Sequence, residues 1–115
     1  MKIENLDFAD GRIEEIVSNA QSVSIILLDW KERLWKIVFD YVLAVENFNI
    51  ECEDLAYMII ESENAFITLA INASEDKDNE SLPFFCYSFF PRHAQKARLR
   101  IVASNCQVNQ IQKYE

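Results

Sequence analysis

The sequence predicts an all-β protein, and three observations support this fold class. Apolar and polar residues alternate in several short segments, which is the period of a strand with one buried face. These segments are rich in β-branched and aromatic residues, which favour strands. Half of the 115 residues are hydrophobic, so one core can form without disulfides. We expect a single domain over residues 1–115, with or without one short helix: an antiparallel meander of about seven to eight strands forming a sandwich or a partly open barrel.

The first strand is expected over residues 12–17, directly after Asp10 and Gly11. Because glycine accepts a positive φ, this dipeptide predicts a turn. Three apolar residues of the segment also have helical spacing, with Asp10 as the cap, so a helix is the alternative. The polar residues that follow are suited to a hairpin connection.

The next two strands are expected over residues 23–30 and 34–45. Val23, Ile25 and Leu27 share one face of the first of them. The second also contains a helical spacing, but its β-branched and aromatic side chains favour a strand. Residues 43–53 then predict either a further short strand or a loop.

Residues 55–60 and 65–71 are two apolar segments joined by four polar residues, which predicts a hairpin. Residues 74–81 predict an exposed acidic loop. Its carboxylates alternate as calcium ligands do, but Ser81 and Tyr87 stand where a calcium loop needs glycine and glutamate. We therefore expect no calcium site there.

Residues 84–90 form the most apolar run of the chain, uninterrupted except for Ser88. Such a run is typical of a strand that is covered on both faces, or of a strand that leaves one face exposed as a docking surface. We expect the first of these, a central core strand. Pro91 ends the run, because proline cannot donate a ladder hydrogen bond.

Two more strands are expected near the end of the chain. Residues 97–103 alternate, which places Leu99, Ile101 and Ala103 inside and the arginines outside. A last strand is expected over residues 106–111, separated from the previous one by a polar pair at 104–105.

The net charge of −8 is unevenly distributed. Residues 1–80 contain 18 acidic and 6 basic side chains, whereas residues 81–115 contain 1 acidic and 5 basic ones. We expect the basic side chains to pair with carboxylates of earlier strands. Nucleic acid is not expected as a partner, since most of the surface repels a polyanion.

The sequence favours a cytoplasmic protein without a membrane partner. It contains no apolar run of about 20 residues, and the first ten residues lack the pattern of a secretory leader. The three cysteines, Cys52, Cys86 and Cys106, are odd in number and widely spaced, which is not the pattern of a disulfide framework.

No residue pattern points to catalysis. His93 is the only histidine, so a cysteine nucleophile such as Cys86 would have to use it as its base. One glycine cannot build a phosphate-binding loop, and the cysteines lack the paired spacing of a zinc site. We expect a protein that is not an enzyme and that has no metal and no cofactor.

Three stretches carry a resemblance to a known group of proteins: the turn and strand Phe-Ala-Asp-Gly-Arg-Ile-Glu-Glu-Ile at 8–16, the apolar hairpin at 23–39, and the strand at 98–104 flanked by basic residues. Together they resemble small bacterial β-rich proteins of unknown function. These include the YxiG-like group and predicted immunity proteins of polymorphic toxin systems. The resemblance implies no catalytic residues.

The resemblance and the net charge together predict an acidic protein-binding module, an immunity protein that neutralises a basic toxin domain. Opposite fields speed the encounter of two proteins, and tryptophan or tyrosine anchors supply affinity. The expected anchors are the exposed members of Trp30, Trp35 and Tyr41, and the expected acidic neighbours are Asp29, Glu32 and Asp40.

Two alternatives are open. One is a carrier of a small hydrophobic ligand, with a cavity of at least about 300 Å³ lined by Phe84 and Phe89. The other is a homo-oligomeric structural protein, in which a strand edge or an aromatic patch forms a homodimer.

Overall fold

The computed structural model describes residues 1–51, 53–74 and 82–112, and it shows six strands in one antiparallel sheet. The strands are β1 (Arg12–Ser18), β2 (Ser22–Leu28), β3 (Leu34–Asn47), β4 (Leu55–Glu61), β5 (Phe85–Pro91) and β6 (Leu99–Ile111), and the helices are α1 (Ala65–Ala73) and a 3₁₀ turn (Ile3–Asn5). The spatial order is β1-β2-β3-β6-β5-β4. Two three-stranded meanders are therefore joined through β3 and β6.

The sheet curls into a half-barrel whose two edge strands meet at one end. Arg12 of β1 and Asp54 form an antiparallel bridge. Next to it, the Leu55 amide donates to the Gly11 carbonyl at 2.8 Å, and the Asp10 amide donates to the Leu55 carbonyl at 2.9 Å. The all-β prediction and the expected partly open barrel are confirmed.

The main core lies on the inner side of the curled sheet. Alternate residues of β2 and β3 supply one wall, namely Val23, Ile25, Leu27, Trp35, Ile37 and Phe39. The N-terminal segment covers this core with Ile3, Leu6 and Phe8. The Phe8 ring meets the Phe89 ring edge-on, with 5.6 Å between centroids. The segment before β1 is thus part of the core.

A helix occupies the place of the second strand in the hairpin predicted over 55–60 and 65–71, so that prediction is wrong. The Asn64 side chain caps α1 by accepting the Ile67 amide at 2.8 Å. Ile67 and Ala70, one helical turn apart, pack onto the outer face of the sheet against Cys86 and Val102. Strand β4 pairs with β5 instead.

The described residues form six strands rather than seven to eight, partly because β3 and β6 are long. They pair from Leu34 opposite Ile111 to Asn47 opposite Leu99, with one bulge between Val42 and Ala44. The expected break at 104–105 is absent, since Asn105 lies in the ladder opposite Asp40. Backbone pairing with β3 outweighs the turn preference of these two polar residues.

Two predictions about the last strands are confirmed. Strand β5 is covered on both faces, with Tyr87 and Phe89 in the main core and Cys86 beneath α1. Leu99, Ile101 and Ala103 are fully buried, as the alternation of β6 predicts.

The turn before β1 is present, but the positive φ falls on Asp10, at 62°, and not on Gly11. Glycine is favoured at position 11 for a different reason. A Cβ atom there would lie 3.0 Å from the Leu28 carbonyl oxygen and 3.3 Å from the Phe8 carbonyl oxygen. Gly11 therefore permits a close approach of backbone to backbone.

Cys52 and residues 75–81, which include nearly all of the expected acidic loop, lie outside the described residues. Within the described ranges, no helix has the length and apolar character that crossing a membrane requires.

Candidate protein-binding site

The six residues predicted for the site fall into two groups at opposite ends of the β2–β3 hairpin. Asp29, Trp30, Glu32 and Trp35 lie in or beside the turn after β2, whereas Asp40 and Tyr41 lie near the connection between β1 and β2. Strand β2 separates the two groups by about 20 Å at the usual rise per residue. They do not form one cluster.

Asp29 organises the turn between β2 and β3. Its Oδ1 atom accepts the backbone amides of Lys31 at 2.9 Å and Arg33 at 2.8 Å. Its Oδ2 atom accepts Nε of Arg33 at 2.8 Å and Nε1 of Trp35 at 3.0 Å. The residue is only 5% exposed. Asp29 therefore fixes the shape of the turn and does not face a partner.

The pKa of Asp29 lies below its ordinary value of 3.8. Burial acts in the opposite direction and would raise this pKa. The hydrogen bonds from Trp35 and Arg33, together with the positive charge of Arg33, outweigh the effect of burial. The folded protein therefore favours the ionised form of Asp29.

A pH dependence of stability follows from this lowered pKa. We expect the contribution of Asp29 to be complete at neutral pH and to be lost as the pH falls below about 4, towards the folded-state pKa. Urea titrations at several pH values measure the contribution of Asp29. It is the difference in unfolding free energy between the wild type and Asp29→Asn at each pH. A difference that stays constant or grows on acidification contradicts this prediction.

Trp30 is the exposed aromatic of this turn, with 54% of its surface accessible. Its Nε1 atom donates to Oδ2 of Asp7 at 2.9 Å, and Nζ of Lys31 lies 5.0 Å from the ring centroid. The indole is thus held in place while part of it remains open to solvent. Trp35, by contrast, is 7% exposed and belongs to the main core, so it is not available as an anchor.

Asp7 is the residue of this site that the sequence did not reveal. It lies 23 positions before Trp30, and no local pattern connects the two. Glu32 stands on the other side of Trp30 in the chain, exposed and with a φ of 62°. We call Trp30, Asp7 and Glu32 the Trp30 surface.

The second group surrounds Tyr41, which is 56% exposed and has a φ of 54°. Tyr41 and Asp40 line a shallow depression of about 610 Å³ with the connection from β1 to β2. A positive φ is costly for a bulky side chain, so this part of β3 is strained.

All five arginines of the chain form ion pairs with carboxylates: Arg12 with Glu14, Arg33 with Asp29, Arg92 with Asp10, Arg98 with Glu53, and Arg100 with Glu46. The pairs of Arg92, Arg98 and Arg100 join the basic second part to the acidic first part, as the charge distribution predicts. Because the chain has 19 acidic and 11 basic residues, carboxylates remain in excess over lysines outside these pairs.

The aromatic residues expected to line a ligand cavity are core residues. Phe89 has no exposed surface and packs in the main core. Phe84 is 5% exposed and packs with the residues under α1. Neither ring is therefore free to line the expected ligand cavity.

Comparisons with protein-family models, with curated proteins and with solved structures find no match to this chain. The resemblance to immunity proteins stays a prediction.

Proposed function

We propose that this chain is a protein-binding module, not an enzyme, and that it binds a basic protein domain through the Trp30 surface. The observation that carries the proposal is an exposed indole whose N–H is hydrogen-bonded and whose backbone belongs to a fixed turn. Asp7 accepts its N–H, and the turn that bears it is fixed by Asp29.

An indole held in this way is suited to be a binding anchor. Tryptophan is enriched among the residues that dominate binding energy at protein interfaces. A side chain that is already ordered loses little conformational entropy when a partner covers it. Because the N–H of Trp30 is hydrogen-bonded to Asp7, a partner can bury the ring without leaving that donor unsatisfied.

The charge of the chain indicates the kind of partner. The net charge of −8 attracts a positively charged domain and speeds the encounter. Asp7 and Glu32 place two carboxylates within the Trp30 surface, against the single ammonium group of Lys31 beside the indole. The resemblance to predicted immunity proteins adds that the basic domain is a bacterial toxin.

The test is the substitution Trp30→Ala. The partner is first captured from the source cells on the immobilised wild-type chain and then purified. Calorimetry with the purified partner is expected to show a loss of about 2 kcal/mol, or about thirtyfold in affinity, for Trp30→Ala. The partner is expected to be basic, and its binding is expected to weaken as salt is added.

Leu69→Ala is the matched control, because Leu69 is a large apolar residue of α1 with 65% of its surface exposed. It is expected to leave the affinity unchanged. Capture of no partner, capture of an acidic one, or equal affinities for the wild type and Trp30→Ala each contradict the proposal.

A further inference from the structure

The two edge strands of the half-barrel differ in how well they are protected. Strand β1 contains Arg12, Glu14 and Glu15, and its register shifts between Ile13 and Glu15. Charged side chains and such irregularities discourage a second sheet from pairing with an edge. Strand β4 also shifts register, between Leu55 and Tyr57, so the two edges differ in charge alone. From residue 55 to residue 60 β4 has no charged side chain, and its single charge, Glu61, is its last residue.

The backbone of β4 is paired on one side only. Leu55, its first residue, bonds to Gly11 and Asp10 near β1. From residue 57 to residue 61 its ladder partner within the described part of the chain is β5 alone. The opposite edge of β4 therefore presents amides and carbonyls that can bond to an added strand.

An apolar patch on the outer face of the sheet continues this edge. Tyr57 and Ile59 of β4 are 47% and 40% exposed. The Tyr57 ring stacks on Phe90, with 4.7 Å between centroids. Beyond Phe90 the groove becomes charged, with the Arg100–Glu46 ion pair in its lining, so the apolar patch consists of Tyr57, Ile59 and Phe90. An added strand would thus gain side-chain contacts as well as backbone hydrogen bonds.

We propose that β4 pairs antiparallel with β4 of a second copy of this chain, which forms a two-fold dimer with a continuous sheet. Antiparallel self-pairing sets the uncharged residues of the two strands opposite one another. It also places the two Glu61 side chains at opposite ends of the new ladder, so that like charges are kept apart. Strand β4 has only one carboxylate, Glu61, with which the basic partner proposed above could pair. A second copy of the chain is therefore the favoured occupant of this edge.

Sedimentation equilibrium of the full chain over the micromolar range tests the dimer. The wild type is expected to show a monomer–dimer equilibrium that tightens with added salt, because two chains of charge −8 repel each other. Ile59→Lys sets like charges near one another across the two-fold axis and is expected to weaken the dimer at least about tenfold. Val17→Lys on β1 is the matched control, since Val17 is 42% exposed on the protected edge, and it is expected to dimerise like the wild type.

Hydrogen exchange of the wild type tests the same edge without any substitution. The amides of residues 56–60 are expected to exchange more slowly at high than at low protein concentration, while those of residues 14–18 are not. The proposal is overturned by a wild type that remains monomeric, by exchange at 56–60 that does not depend on concentration, or by Val17→Lys weakening the dimer as much as Ile59→Lys.

Discussion

Replacing Asp29 with asparagine is expected to lower the free energy of unfolding by about 3 kcal/mol. The new amide can still accept two backbone amides through its oxygen. It cannot accept Nε of Arg33 and Nε1 of Trp35, which now bond to Oδ2. The buried N–H of Trp35 then loses its acceptor, and its desolvation is no longer offset. The Arg33 side chain is 42% exposed, so its guanidinium can bind water instead, and most of the loss comes from the indole and the changed turn.

Glu32→Gln is the control for this prediction, because it removes a carboxylate from the same turn at an exposed position. It is expected to change stability by less than about 0.5 kcal/mol. Urea unfolding at neutral pH compares the two variants with the wild type. If Asp29→Asn costs no more than Glu32→Gln, then Asp29 does not organise the turn as described.

Replacing Phe8 with alanine is expected to cost about 3 kcal/mol. The Phe8 ring is 6% exposed and meets Phe89 edge-on, so its removal leaves a cavity between the N-terminal segment and the sheet. The same segment carries Asp7, the hydrogen-bond acceptor of Trp30. Loosening it should also make Trp30 more accessible to a soluble fluorescence quencher.

Phe48→Ala is the control, because it removes the same side chain from a position that is 57% exposed. It is expected to change stability by less than about 0.5 kcal/mol and to leave the quenching of Trp30 unaltered. Equal losses of stability for the two variants would show that the N-terminal segment is not part of the core.

The alternation of the sequence predicted β2 and the first half of β3 because these strands bury one face only, and a period of two then marks the burial directly. The same method failed for residues 65–71. Ile67, Ala70 and Ile71 have helical spacing, and Asn64 is a good cap, but the apolar run is too short for its period to decide between helix and strand. The helix is favoured because its apolar side chains pack on the outer face of β3, β5 and β6. That face forms only when the sheet folds, so the local sequence does not reveal it.

The candidate site was predictable in part. Trp30 is exposed in a turn, as expected, but Trp35 is buried five positions later. Composition alone does not distinguish the two. Asp29 carries a recognisable signal, since aspartate at the start of a turn often accepts amides two and four residues later. The contact between Asp7 and Trp30 depends on how the N-terminal segment crosses the sheet, which no local pattern encodes.

The long pairing of β3 with β6 has a consequence for how the chain folds. Leu34 lies opposite Ile111, so most of the chain has to be arranged before this ladder can close. Contacts between residues so distant in sequence slow folding, commonly to about milliseconds or seconds. Until β6 arrives, one side of β3 has no partner, and a nascent chain at this stage is open to association with the wrong strand. The unpaired edge of β3 is therefore protected only after β6 has been synthesised and has paired with it.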